Sequence, residues 1–281
     1  MRADDAGSLV FDSPALQENI EIVGLPKVHL RAAVDAPLAH FIVRLEDVQP
    51  DGTVALVTGA ALNGAQRKYP QSPEALPRGE PVDVDIEMHF TTWKFATGHR
   101  IRLAVTNAQF PMLWPTPSPM TLRLFLGPEA TRLRLPLIPA ETRPAPAFAP
   151  SEPRGSRPDA HSSGCDSWPE GFREVRKDLI RGTTSNEWRG RCVYEIGSRH
   201  FENEERNTYE VRDENPAESS FDGEEVHRIR LEGGRALRLE SHLSLRSDAT
   251  DFHATFTRKI FENDTLLREK TWAETIPRQF Q

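Results

Sequence analysis

The sequence predicts an all-β protein built from antiparallel sheets. Short apolar runs alternate with polar residues, and 23 Pro and 17 Gly are spread between them, which favours many turns over long helices. The clearest run follows a glycine turn at Gly98, where Ile101, Leu103 and Val105 all face one side of a strand. Strands of this kind bury one face each, so two sheets must pack together as a β-sandwich.

Proline positions divide the chain into three parts. Seven prolines between positions 136 and 158 leave no room for a regular helix or strand ladder, since each removes a backbone donor and biases its predecessor toward extended geometry. We therefore predict a first domain over residues 1–139, a Pro-rich linker over 140–164 and an antiparallel β extension over 165–281.

The extension has its own strand pattern. Leucines alternate with polar residues after the glycine pair Gly233 and Gly234, and the loop from Glu262 to Thr265 separates two further runs. This pattern predicts an antiparallel β meander that is apolar on one face and solvated on the other.

Charge and hydropathy restrict the location and the partners. The formal net charge is −7, and no basic run with interleaved aromatic residues occurs, which argues against nucleic acid as a partner. No apolar stretch approaches the roughly 20 residues that a membrane span needs, and the polar start is unlike a signal peptide. We predict a cytoplasmic protein with no membrane contact, and leave a homo-oligomer open.

The two cysteines, Cys165 and Cys192, are too few for a disulfide scaffold or a cysteine-based zinc site. We expect two free thiols. His161 is near Cys165 in sequence, but its Pro-, Ser- and Gly-rich surroundings do not favour an oriented catalytic base.

An acidic strand face is the one candidate cation site. Asp83, Asp85, Glu87 and His89 share one face by their spacing, and carboxylate oxygens are the ligands that calcium prefers. A flat strand does not wrap an ion, however, and no Asp/Gly loop supplies carbonyl ligands. A solvated strand face is therefore favoured, and no metal or cofactor is assigned.

Two further groups have both a functional and a structural interpretation. His99 could act as a general base, but a strand-start histidine bonded to backbone, beside an Arg100 paired with a carboxylate, is favoured. Trp93, Trp114 and Tyr69 could form a sugar-binding platform, but packing in the core or at an interface is favoured.

Serine hydrolase chemistry requires a nucleophile on a strained turn with small residues on either side, the G-x-S-x-G pattern. No glycine of this chain is followed two positions later by serine. We assign no catalytic residue, and we predict that this chain alone is inactive.

Five segments carry a family resemblance. The GHRIRL run of residues 98–103 leads to Phe110-Pro111 and Trp114-Pro115, and four further segments fit in order: residues 8–16, 20–26, 41–52 and 58–63. Together they resemble the C-terminal domain of the X-prolyl dipeptidyl-peptidase and cocaine esterase (CocE/NonD) family of serine hydrolases. His40 and Ala60 depart from the family pattern. Residues 272–278 are similar to the ending of one bacterial branch of this family.

The resemblance implies a jelly-roll β-sandwich of galactose-binding-like shape. It also implies an accessory domain that packs on an α/β-hydrolase catalytic domain in cis and helps to wall its acyl-binding pocket. The complete enzyme would be a dipeptidyl-peptidase or an acyl esterase. Its serine, aspartate and histidine triad would precede this domain, which predicts an internal start, a split gene or a fragment.

Two expectations follow from the resemblance. Without the catalytic domain, the apolar run of residues 110–114 is expected at the surface as the side facing the hydrolase. The alternative function is a stand-alone β-sandwich binding module for carbohydrate or another ligand, since this fold shape hosts many ligands.

Overall fold

A computed structural model of the chain describes residues 2–69, 71–138, 147 and 173–281. Nearly all regular structure in these residues is β-strand in antiparallel pairs, which confirms the all-β class. The chain divides into two compact units, residues 1–145 with 280–281 and residues 146–279. No helix among the described residues is long and apolar enough to span a membrane.

The first unit contains a four-residue helix and ten strands in its described residues. The elements are α1 (Arg2–Asp5), β1 (Leu9–Asp12), β2 (Ile20–Gly24), β3 (Lys27–Val34), β4 (His40–Val48), β5 (Val54–Asn63), β6 (Val82–Glu87), β7 (Thr91–Phe95), β8 (Arg100–Thr106), β9 (Leu122–Phe125) and β10 (Thr131–Arg134). One sheet has the order β1-β8-β4-β5, a second has the order β10-β3-β6 with β9 also paired to β3, and β2 pairs with β7.

One hydrophobic core joins the two larger sheets of this unit. Phe41, Val43 and Leu45 of β4 alternate inward from the first sheet, and Val28 and Leu30 of β3 come from the second. All five side chains are at most 1% exposed. The unit is therefore a β-sandwich, while the jelly-roll connectivity stays a prediction.

Strand β8 forms where the sequence predicts it. Gly98 has a φ of +84°, a conformation that glycine adopts without steric cost, and it precedes the strand. Leu103 and Val105 are buried in the core. β8 lies between β1 and β4, so both of its edges are paired.

The second unit contains a single seven-stranded sheet in its described residues. Its strands are β11 (Arg173–Asp178), β12 (Thr183–Ile196), β13 (Arg199–Arg212), β14 (Ser219–Arg230), β15 (Ala236–Ser247), β16 (Asp251–Glu262) and β17 (Thr265–Pro277), paired in chain order. The predicted hairpin turn is present, since Asn263 and Asp264 have φ of 47° and 65°. The linker predicted over residues 140–164 lies outside the described residues, apart from residue 147.

The two faces of this sheet differ in chemistry. Residues directly opposite one another share a face, and Tyr209, Phe221 and Leu245 stand opposite one another on neighbouring strands. The other face carries ion pairs such as Arg191 with Glu202, whose Nη2 and Oε1 atoms are 2.6 Å apart. The sheet has one face rich in apolar side chains and one charged face, as the alternation predicts.

Cys192 corrects one sequence-based expectation. It lies on β12 and is disulfide-bonded, and no cysteine of the described residues is a free thiol. The expectation of free thiols is therefore wrong for Cys192, because sequence spacing does not show which side chains the fold brings together. Cys165 and His161 lie outside the described residues.

Candidate functional site

A network of charged side chains covers the outer face of the first sheet. Arg44 donates from Nε to Glu46 Oε1 and from Nη2 to Asp5 Oδ1, both at 2.8 Å. Arg102 donates from Nη1 to the other oxygen of Asp5 at 2.9 Å. It also forms a two-pronged contact with Asp12, with distances of 2.7 and 2.9 Å. These contacts connect α1 and β1 to the two central strands, β8 and β4.

Glu46 is the most buried member of this network. Its side chain is 0% exposed, and its Oε2 atom has no hydrogen-bond partner. Burial raises the pKa of Glu46 and the charge of Asp5 adds to that effect, against the donation from Arg44. The hydrogen bond from Arg102 lowers the pKa of Asp12. A raised carboxyl pKa is typical of a general acid, but a fully buried group cannot reach a substrate.

His99 lies in a second polar cluster, at the end of β4. Its Nδ1 atom is 2.8 Å from Asp47 Oδ1, and Trp93 donates from Nε1 to Asp47 Oδ2 at 3.1 Å. The main chain of His99 bonds backbone, as expected, since its N–H donates to the Ala96 carbonyl oxygen and its carbonyl oxygen accepts from the Leu16 N–H. Arg100 contacts the Ser13 carbonyl oxygen at 3.4 Å rather than a carboxylate. The cluster ties β4, β7 and the start of β8 together.

Sequence reasoning missed a hydroxyl, imidazole and carboxylate series in the second unit. His253 Nε2 is 2.7 Å from Asp248 Oδ2, and His253 Nδ1 is 3.4 Å from Thr275 Oγ1. The hydrogen bond with His253 lowers the pKa of Asp248. Thr275 is exposed on β17, and a solvated hydroxyl at the limit of hydrogen bonding lacks the pre-organised site that acyl transfer needs. In the sequence, His253 and Thr275 are 22 residues apart, and this spacing alone does not indicate that the two side chains meet.

The acidic strand face is paired with basic side chains of the neighbouring strand. Lys27 Nζ is 2.7 Å from Glu87 Oε2, and His29 Nδ1 is 2.9 Å from Asp85 Oδ1. Asp83 is 3.6 Å from the other ring nitrogen of His29. Cross-strand polar pairs stabilise a solvated sheet face, and here they occupy the carboxylates that a cation would need.

Possible metal ligands are also present at His89 and in one cluster of the second unit. His89 follows the end of β6, and its carbonyl oxygen accepts from Thr58 Oγ1 at 3.0 Å. Among the described residues, one cluster brings three ligand atoms within 4.8 Å of one another, and it consists of Asp222, Glu224 and His242. All three are exposed, and such groups are common without an ion.

The three aromatic residues of the possible sugar platform have separate surroundings. Trp93 packs against the core and donates to Asp47. Trp114 meets Phe110 edge to face, with ring centroids 6.1 Å apart. Tyr69 is 63% exposed.

An apolar groove of about 450 Å³ opens into the sandwich, and we call it the edge groove. Its volume lies in the range of small-molecule pockets. Its lining residues come from β1, β8, β10 and the segments next to them, and they are Phe11, Asp12, Ser13, Ile101, Leu103, Leu126, Gly127, Thr131, Arg132, Leu133 and Leu135. The sequence pointed instead to residues 110–114, of which Met112 is strongly exposed, at 78%, while its neighbours are half-buried. The edge groove is assembled from distant segments, which no local pattern marks.

Charged side chains of this unit are paired with one another, and the edge groove is lined mainly by apolar residues. These features are those of a β-sandwich module with an exposed apolar surface. Residues 1–132 match the family described as the X-Pro dipeptidyl-peptidase C-terminal non-catalytic domain. The resemblance stated from the sequence is thereby confirmed.

Three similar proteins illustrate the range of the match. Cocaine esterase of Rhodococcus sp. (strain MB1 Bresler) is 28% identical over 103 residues, which are 37% of this chain and 18% of that protein. An α-amino acid ester hydrolase structure is 25% identical, with a TM-score of 0.45, over 47% of this chain and 26% of that one. A CocE/NonD family hydrolase of Staphylococcus aureus is 16% identical, with a TM-score of 0.41, over 48% and 31%. The chain spans about a fifth of the length of the curated relatives it matches.

Proposed function

We propose that this chain is the C-terminal accessory part of a serine hydrolase of the X-prolyl dipeptidyl-peptidase and cocaine esterase type. The observation that carries the proposal is the match of residues 1–132 to the non-catalytic domain of that family. The partner is then an α/β-hydrolase catalytic domain, which lies in the same chain in relatives. The complete enzyme then hydrolyses peptide, ester or amide bonds through an acyl-serine intermediate, as a dipeptidyl-peptidase or an acyl esterase.

The geometry of the described residues supports a role without catalysis. His99 contacts Asp47 as the histidine of a catalytic triad contacts its carboxylate. The third member of this cluster, however, is the indole of Trp93, which donates to the other oxygen of Asp47, rather than a hydroxyl. The series ending at Thr275 is solvated. A positioned nucleophile, base and oxyanion hole together lower an acyl-transfer barrier by many kcal/mol, and neither cluster combines them.

The purified chain is expected to hydrolyse neither p-nitrophenyl esters nor X-Pro anilides, and to take up no fluorophosphonate label. The cocaine esterase relative serves as the active control, and Thr275→Ala checks the one hydroxyl close to an imidazole. Stoichiometric labelling of one serine, lost when that serine becomes alanine, would overturn the proposal. Labelling that appears only after a separately expressed α/β-hydrolase fragment is added would support it.

The domain limits and the compartment form part of the same proposal. We propose a jelly-roll domain over residues 1–139, a linker over 140–164 and a β extension over 165–281. The cytoplasmic location stays a prediction, and the disulfide bond at Cys192 weighs against it because disulfides are rare in the cytosol.

A further inference from the structure

We propose that the chain forms a symmetric dimer through β17, which pairs antiparallel with the β17 of a second copy. β17 belongs to the second unit and lies outside residues 1–132, which match the hydrolase family. The inference therefore goes beyond the proposed function and does not depend on it.

β17 is an edge strand of the seven-stranded sheet, and all 13 of its residues are exposed. They include large apolar side chains, such as Trp272 at 38% and Ile276 at 47% exposed. An edge strand presents a row of backbone N–H and C=O groups that another strand can pair with. The strand at the opposite edge, β11, has only 6 residues. β17 is therefore the edge that offers the longer ladder.

The charges of β17 fit a two-fold axis through Thr271. In an antiparallel pair centred there, Arg268 stands opposite Glu274 of the second copy, and the symmetry forms this pair twice. Lys270 stands opposite Trp272 of the second copy, which places a cation beside an aromatic ring. Opposite charges on directly facing positions stabilise a strand pair, and like charges destabilise it. The strand is thus complementary to itself in this register.

The two charges of the intermolecular pair are available within one chain. The residues that face Arg268 and Glu274 on β16 are Ile260 and Ala254, and neither side chain can form an ion pair. In the described part of the chain, no ion pair involves Arg268 or Glu274, whereas their neighbour Glu269 is 3.6 Å from Lys259 Nζ through its Oε1 atom. A second copy can therefore use both charges without breaking a contact.

Neighbouring registers are less favourable. An axis at Lys270 would place two lysines opposite each other. An axis at Trp272 would pair Lys270 with Glu274, but Arg268 would face no carboxylate. The axis through Thr271 pairs Arg268 and avoids the contact between like charges. Charges that protect an edge strand from unspecific pairing thus favour one register here.

The two ends of β17 and the symmetry close the assembly at a dimer. The register with β16 shifts between Ile260 and Phe261, close to the start of β17, and Pro277 at its end has no N–H to donate. The regular ladder is confined to the segment between these points. A two-fold axis uses the β17 strands of both copies, so neither is left open to a third chain.

Sedimentation velocity of the full chain over a dilution series tests the proposal. Pairing of one strand gives an interface at the small end of the specific range, below about 1,200 Å². The expected result is a dimer with a dissociation constant of roughly 1–100 µM. Glu274→Arg is expected to weaken the dimer by about tenfold or more, since it places two pairs of like charges across the axis.

A charge exchange tests the register. The double variant Arg268→Glu with Glu274→Arg restores opposite charges in the register centred on Thr271, and only there. Its dissociation constant is expected to return to within about threefold of the wild-type value. Glu232→Arg is the matched control, because it makes the same change of charge at an exposed turn residue between β14 and β15. It is expected to change the dissociation constant by less than about twofold.

The variants alter exposed side chains and should fold, which circular dichroism checks. A wild-type chain that stays monomeric up to about 200 µM would overturn the proposal. A Glu274→Arg variant that dimerises as well as the wild type, or a double variant that does not regain the dimer, would also overturn it. Oligomers larger than a dimer would do the same, because they require an open contact such as β17 with β11. Each of these results leaves the accessory function standing.

Discussion

The two units achieve β-structure by different means. The first buries large aliphatic and aromatic side chains between two sheets, and Phe41 and Leu45 are completely inaccessible. In the described part of the second unit, Ala217 is the one buried apolar residue, and the other buried side chains are polar, among them Thr183 and Asn186. The second unit consists of longer strands, several of 12 to 14 residues.

The second unit shows which interactions can stabilise a sheet that has few buried apolar side chains. In the second unit, stacked aromatic pairs join neighbouring strands, such as Tyr194 with Phe201 at a centroid separation of 4.9 Å. Ion pairs on the charged face add smaller contributions, because exposed pairs are worth little. Stability there is spread over many cross-strand contacts, whereas in the first unit a few core residues carry a large share.

The largest expected difference between the two units is in the free energy of unfolding that is lost when one aromatic side chain is truncated. Phe41→Ala is expected to lower the free energy of unfolding by about 3–5 kcal/mol, since it leaves a cavity in a closed core. Trp272→Ala should cost only about 1 kcal/mol, because Trp272 is 38% exposed and stacks on Phe256 across the strand pair. Urea unfolding followed by far-ultraviolet circular dichroism measures both. Equal losses would remove the distinction between the units.

Glycine replacements sharpen the comparison with an intermediate effect. A Cβ atom at Gly59 would lie 2.8 Å from the Val43 carbonyl oxygen, and backbone cannot move aside, so Gly59→Ala should cost about 1–3 kcal/mol. At Gly190 the nearest atoms belong to the side chains of Glu205 and Trp188, at 3.0 and 3.2 Å. These can shift, and Gly190→Ala should cost less than about 1 kcal/mol. Thermal unfolding of both variants provides the check, and a larger loss at Gly190 would contradict it.

The pH dependence of stability should have opposite signs at two glutamates, the buried Glu46 of the first unit and the partly buried Glu202 of the second. The pKa of Glu46 is raised above its ordinary value of 4.5, so the folded state holds its proton more tightly. Its contribution is complete below 4.5 and is lost as the pH rises through the raised pKa. Hydrogen bonding from Arg191 lowers the pKa of Glu202, so its contribution is present above 4.5 and is lost as the pH falls through the lowered pKa.

Unfolding free energies of the wild type, Glu46→Gln and Glu202→Gln over about pH 3 to 7 test these signs. The advantage of the wild type over Glu46→Gln should shrink as the pH rises, and its advantage over Glu202→Gln should grow. Each unit between the folded and unfolded pKa is worth about 1.4 kcal/mol. Parallel profiles for the two variants would show that the environments do not differ as described.

Local patterns were predictable, and non-local contacts were not. The alternation in β8 and the turn at Asn263 and Asp264 are each contained in a few consecutive residues, and the sequence predicts both. β3 was not recognised, although it pairs with β6, β9 and β10. Its last three residues, from Ala32 to Val34, are all buried, so the alternation of a half-buried strand is lost in the strand that has most partners.

The candidate sites show the same limit. His99 was identified by its motif, but its partner Asp47 is 52 residues away and was not predicted. The disulfide bond at Cys192 and the buried position of Glu46 were also missed. Side-chain pairing depends on which strands become neighbours, and strand order is not encoded in the period of any one strand.

By itself, the sequence determined that this protein is all-β, that its first part resembles a hydrolase accessory domain, and that the G-x-S-x-G pattern does not occur in it. These conclusions rest on residue period, motif and turn chemistry, which are properties of short segments. Only the tertiary structure decided that Arg44, Glu46 and Asp5 form one buried network and that β1 and β10 frame an apolar groove. Both features join segments far apart in the chain, and packing of two sheets around one core brings them together.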